Sequence, residues 1–183
     1  ALVEAKGDSR APWTGGAVAG DEAIRGFAGA TLRLGDSGTT EELLKFMGYE
    51  HADTSKGIKR FVIPGGNGAD VIDLQTLPNM QRGDLGAGSV HHIAFAVDDR
   101  EAQKAVRQAL LDTGYQVTPV IDRDYFYAIY FRTPGGVLFE IATNEPGFDK
   151  DEDAAHLGEA LKLPTQHEHR RALLETHLPE IKD

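Results

Sequence analysis

The sequence predicts an α+β fold of paired βαβββ modules forming a curved mixed sheet, followed by a helical tail. Two observations carry this expectation. The same order of strand-like and helix-like runs occurs twice along the chain. Each copy also has a Gly-Tyr pair after its helix candidate and a Pro-Gly-Gly turn before its last strand. The interval from Gly29 to the matching point at His92 is too long for a solenoid repeat and suits a duplicated supersecondary unit.

Residues 1–21 read as a linker, because Asp8 to Asp21 is rich in Gly and small residues. Trp13 is expected to anchor it through its large apolar area. Residues 22–148 form the paired-module domain, with modules at about 24–80 and 88–148. In the first module, Gly29–Leu34 alternates as a strand and Thr39–Met47 reads as a helix with an acidic start. Strands are expected at Lys59–Ile63 and Ala69–Gln75. The second module predicts a strand at His91–Val97 and a helix at Asp99–Thr113, then strands at Gln116–Ile121, Tyr125–Arg132 and Val137–Thr143. The tail, 149–183, is charged, and Glu168–Leu178 is amphipathic with Pro179 to end it.

Composition narrows the possible functions. The 183 residues carry a formal charge of −10, and 40% are hydrophobic. An acidic surface repels phosphate backbones and anionic lipid, so neither nucleic acid nor membrane is an expected partner. No apolar run reaches the roughly 20 residues of a membrane span. The chain has no cysteine, which excludes disulfides, thiolate ligands and a cysteine nucleophile. A cytoplasmic location is expected.

Side chains alternate along a strand. His92, Ala94 and Ala96 therefore share one face, as do Gly136, Leu138, Glu140 and Ala142 on the last strand. Small neighbours leave room for a metal and a substrate, and burial makes the Glu140 carboxylate costly unless a cation meets it. Aligning the copies sets Gly29 opposite His92 and Asp73 opposite Glu140, so the first module reads as a scaffold that has lost the imidazole. The plainer reading of His91-His92 is an edge residue beside a satisfied core imidazole.

The runs Val90-His-His-Ile-Ala-Phe95, Asp122-Arg-Asp-Tyr-Phe126 and Tyr130-Phe-Arg-Thr-Pro-Gly-Gly-Val-Leu-Phe-Glu-Ile-Ala-Thr143, followed by Asn144-Glu-Pro-Gly-Phe148, resemble the vicinal oxygen chelate superfamily. That superfamily includes glyoxalases, bleomycin-resistance proteins and extradiol dioxygenases. The closer likeness is to the hydroquinone and chlorohydroquinone ring-cleavage dioxygenases, from about Ile24 onward. The resemblance implies a glyoxalase-like fold and a site for Fe(II), with Mn(II) or another divalent metal as alternatives. It implies that His92 and Glu140 are metal ligands. It places Arg123, Tyr130 and His91 where the family has substrate-facing or supporting groups. In an ideal strand His91 would point away from His92.

Such dioxygenases have four modules in two domains, and a His from the N-terminal domain completes the ligand set. The chain opens at Ala1 without an initiator Met, and it has no convincing third ligand. It is therefore expected to be a C-terminal half that is inactive alone, with an aromatic substrate and O2 as partners and homo-oligomers possible. The alternatives are a glyoxalase-like metal-dependent isomerase or lyase, and a non-catalytic module that binds an aromatic compound or drug. His51, His156, His167, His169 and His177 read as solvent-facing. Gly65-Gly66 and Gly135-Gly136 read as hairpin turns rather than phosphate cradles.

Overall fold

A computed structural model of the chain describes residues 2–4, 6–18, 20–81 and 83–179. The end of the tail, 180–183, lies outside the described residues. The chain divides into two compact units: residues 1–90 with 133–137, and residues 91–132 with 138–183.

The first unit contains β1 (Gly29–Leu34), α1 (Gly38–Phe46), β2 (Glu50–Ser55), β3 (Ile58–Val62) and β4 (Val71–Thr76). The second contains β5 (Ile93–Val97), α2 (Arg100–Asp112), β6 (Ile121–Asp122), β7 (Phe126–Arg132), β8 (Leu138–Pro146) and α3 (Arg171–His177). The two sheets have matching strand orders, β1-β4-β3-β2 and β5-β8-β7-β6. In each, the first and last strands run parallel and the other neighbours antiparallel. The expected α+β fold is observed, with the mixed sheet in two four-stranded pieces.

The repeated Gly-Tyr pairs have a structural cause. Gly48 and Gly114 follow the two helices with φ of +91° and +89°, a left-handed conformation that glycine adopts without a Cβ penalty. The next amides, on Tyr49 and Tyr115, then turn back onto the Leu44 and Leu110 carbonyls at 2.9 and 3.0 Å. Asp99 starts α2 by accepting a hydrogen bond from the Ala102 amide at 2.8 Å, the usual role of an acidic N-cap. Leu43 and Leu44 of α1 are buried, as are Leu32, Leu34, Phe61, Ile72 and Leu74 of their sheet. In the second unit Leu110 of α2 is buried, with Ile129, Phe131, Phe139 and Ile141.

Several elements depart from the sequence reading. β2 was not foreseen; its six residues are all exposed and carry no apolar alternation. The run Gln116–Ile121 does not form a continuous strand. It makes one bridge, Val117 to Phe131, and then the two-residue β6. Pro119 lies in this run and has no amide to give to a ladder. The tail helix is α3 alone, preceded by a 3-10 turn over Thr165–Arg170. Trp13 does not act as a buried anchor. It is 61% exposed, and its ring lies beside Gly15 and Gly16. Arg10 ties this segment instead, donating to Asp8 and to the Phe27 carbonyl. Among the described residues, no helix is long and apolar enough to cross a membrane.

Candidate active site

Glu140 sits in the middle of β8, and the ladder decides what surrounds it. Its register partners are Ala94 on the parallel strand β5 and Tyr130 on the antiparallel strand β7. Phe139 and Ile141, on either side of it in sequence, point into the core. Glu140 is itself only 3% exposed. A carboxylate this deep requires a partner, and His92 Nε2 stands 2.6 Å from its Oε2. The apolar alternation of β5 holds: Ile93, Phe95 and Val97 are half-buried, and Ala94 and Ala96 are exposed.

The two histidines lie ahead of the strand rather than in it, since β5 begins at Ile93. Strict alternation therefore does not govern His91, and the expectation that it points away from His92 is corrected. Its Nδ1 is 2.9 Å from His92 Nδ1. The His92 ring meets the Tyr130 ring edge-on, with centroids 5.8 Å apart. Arg123, in the turn between β6 and β7, donates from Nη2 to the Tyr130 hydroxyl at 3.4 Å. Its guanidinium lies 5.7 Å from the Tyr130 ring centre. His91, His92, Glu140, Tyr130 and Arg123 thus form one contiguous chain of contacts. Burial pushes the Tyr130 phenol above its ordinary range; Glu140 reinforces the rise, while Arg123 opposes it.

A cavity of about 330 Å³ opens at this chain, lined by His92, Glu140, Ala94, Ala142 and a set of aromatic residues. An apolar cavity of about 150 Å³ suffices for benzene, so a single substituted ring fits. Tyr125, Phe126 and Phe148 supply the aromatic wall. The Tyr125 and Phe148 rings are stacked at 5.5 Å and 12°. Reasoning from sequence named none of the three as site residues, although all lie in the runs that carry the resemblance. Phe148 is 62% exposed.

An imidazole nitrogen and a buried carboxylate oxygen directed at each other are a chemically apt pair of donors for a divalent transition metal. Among the described residues, no three His, Cys, Asp or Glu side chains form a group able to hold a metal. The first unit repeats the layout without the imidazole. Thr31 is paired with Asp73 as Ala94 is with Glu140, so Gly29 stands where His92 does. His51, His156, His167, His169 and His177 are all exposed and lie outside this constellation.

The sequence profile of the Glyoxalase/Bleomycin resistance protein/Dioxygenase superfamily matches residues 28–141. MhqO of Bacillus subtilis (strain 168), named as a ring-cleaving dioxygenase, is 44% identical over 97% of this chain and 56% of its own length. The chlorohydroquinone/hydroquinone 1,2-dioxygenase of Sphingobium indicum is 36% identical over 85% of this chain and 49% of its own length. A crystal structure named as a dioxygenase from Bacillus subtilis superposes with a TM-score of 0.86 at 44% identity, covering 93% of this chain and 55% of that one. The chain spans about half the length of these relatives.

Proposed function

Because this chain belongs to the glyoxalase/bleomycin resistance protein/dioxygenase superfamily, we propose that it is the C-terminal half of a dioxygenase that opens a hydroquinone-type ring with O2. The observation that carries this reading is the buried Glu140 carboxylate, 2.6 Å from His92 Nε2, in a cavity that also holds Ala94 and Ala142 and is bordered by aromatic rings. His92 and Glu140 would hold Fe(II), with Mn(II) or another divalent metal as the alternative. A third ligand, a histidine, would come from a paired-module domain outside this chain. When bound, the metal would supply the redox chemistry that joins ring and dioxygen.

The chain's own groups have separable parts. Glu140, held at the centre of a sheet, fixes the direction of the carboxylate donor. His91, within 2.9 Å of the far nitrogen of His92, restrains that ring and its tautomer. Tyr130, whose phenol burial holds above its ordinary range, would donate a hydrogen bond to a substrate oxygen. Arg123 supplies a fixed positive charge at the same point, which favours a substrate phenolate over the neutral phenol. The names of the relatives favour ring cleavage over isomerisation or simple binding.

The test is iron content and oxygen uptake with hydroquinone in the full-length protein. Both should collapse on His92→Ala and on Glu140→Ala. Stoichiometric iron in both variants would remove the ligand assignment. Hydroquinone bound without oxygen consumption would favour a binding module, and turnover without oxygen would favour an isomerase or lyase.

A further inference from the structure

Asp124 lies between Arg123 and Tyr125, two residues at the site, and its backbone has φ of +68°. Non-glycine residues rarely adopt this region; Asp and Asn tolerate it best. Its side chain is only 9% exposed, and one carboxylate oxygen gathers the tail. Lys150 Nζ donates to Asp124 Oδ1 at 2.9 Å, and Thr165 Oγ1 donates to the same atom at 2.9 Å. Lys150 Nζ also reaches the Asp124 carbonyl at 3.2 Å. The neighbouring residue is tied in parallel. The Tyr125 hydroxyl donates to Asp151 at 3.1 Å, and the Gly147 amide donates to the Tyr125 carbonyl at 3.0 Å. Inside the turn, the Arg123 amide donates to the Phe126 carbonyl at 2.9 Å.

These ties join two chain segments whose rings make up the aromatic wall: Tyr125 and Phe126 at the start of β7, and Phe148 just after β8. We infer that Asp124 is a positioning residue. By fastening Lys150 and Thr165 to a left-handed turn, it holds Arg123 toward Tyr130 and sets the Tyr125–Phe148 stack as the surface on which a substrate ring lies. This rests on the aromatic substrate proposed above. Asp124 itself touches none of the reacting groups.

The experiment compares Asp124→Ala, Asp124→Asn and Asp124→Gly in the full-length, Fe(II)-loaded protein, with hydroquinone as the probe. Misplacing a binding surface by a fraction of an ångström to an ångström costs on the order of 10- to 100-fold. Asp124→Ala loses both the ties and the tolerated backbone conformation, so KM should rise about tenfold with iron content unchanged. Asp124→Asn keeps an oxygen acceptor and the conformation, and should recover most of the loss. Asp124→Gly keeps the conformation and the backbone carbonyl but not the carboxylate, and should resemble the alanine variant.

Hydrogen exchange at the Arg123 and Gly147 amides provides a readout independent of turnover. Exchange there should quicken in the Ala and Gly variants, while the β3–β4 amides stay protected. A KM within twofold of wild type in Asp124→Gly, or unchanged exchange at Arg123 and Gly147, would overturn the inference. If wild-type protein neither binds nor consumes hydroquinone, the functional reading fails by itself, and the exchange comparison still decides the role of Asp124.

Discussion

Arg60 donates from Nε and Nη2 to the two carboxylate oxygens of Asp73, each at 2.8 Å. Asp73 holds on β4 the register position that Glu140 holds on β8, and Arg60 stands opposite it as Tyr130 stands opposite Glu140. In the first module, a side chain of the same sheet thus supplies the positive charge that the carboxylate needs. Arg60→Met should leave the iron content of the full-length protein unchanged. Because the Arg60 side chain is 53% exposed, the stability cost should not exceed about 1 kcal/mol. Metal analysis and urea denaturation check the two halves of this expectation.

Gly29 should tolerate no side chain. A Cβ there would stand 2.0 Å from the Val71 carbonyl oxygen, a backbone atom of the paired strand β4 that cannot swing aside. Gly29→Ala should destabilise the chain by roughly 1–3 kcal/mol, the usual range for overpacking. Gly35→Ala, where nothing lies within 4 Å, is the control. Equal midpoints in denaturant for the two variants would contradict the close approach.

Three phenols should titrate late. Burial raises Tyr49, with Asp70 adding to the rise. Burial and the hydrogen bond to Asp151 raise Tyr125; burial and Glu140 raise Tyr130 against the pull of Arg123. The unfolded chain then releases these protons first, near pH 10. The contribution is fully present below that pH and is lost as pH rises toward the folded-state values. Urea denaturation between pH 9 and pH 11 should show stability falling with pH, with a shallower slope in Tyr130→Phe. A slope that is identical or steeper in the variant counts against the buried environment of Tyr130.

Gln103 is the fully buried polar residue of α2. Its Nε2 donates to the Tyr127 carbonyl at 2.7 Å and to the Ile141 carbonyl at 2.9 Å, tying the helix to two strands of the site. Gln103→Met fills similar space but removes that donor from both carbonyls. A loss of about 2 kcal/mol is expected, within the range for stranded buried acceptors. A calorimetric midpoint equal to wild type would show that water or a rearranged neighbour takes over.

What could be read from sequence follows from where periodicity exists. β1, β5, β7, β8 and both main helices have an apolar face, and their existence and order were legible. β2 was not, because a strand exposed along its whole length leaves no alternation to detect. His92 and Glu140 were found because imidazole and carboxylate stand out on faces of alanine. The contact of His91 with His92 is not legible, because a strand read from His91 imposes an alternation that the backbone, which enters β5 only at Ile93, does not follow. Tyr125, Phe126 and Phe148 escaped for a different reason. No spacing or charge marks an aromatic side chain as lining a site, and only the ring stacking and the cavity show which way these three face.

The close approach of Val71 to Gly29 also bears on what separates the two modules. A duplicated unit that merely lost a ligand could regain it by one substitution. Here the Val71 carbonyl oxygen occupies the volume a Cβ would need, so a histidine at position 29 requires the backbone of β4 to stand further off. Main-chain geometry thereby closes position 29 to a side chain, and one substitution there does not give the first module an imidazole of its own.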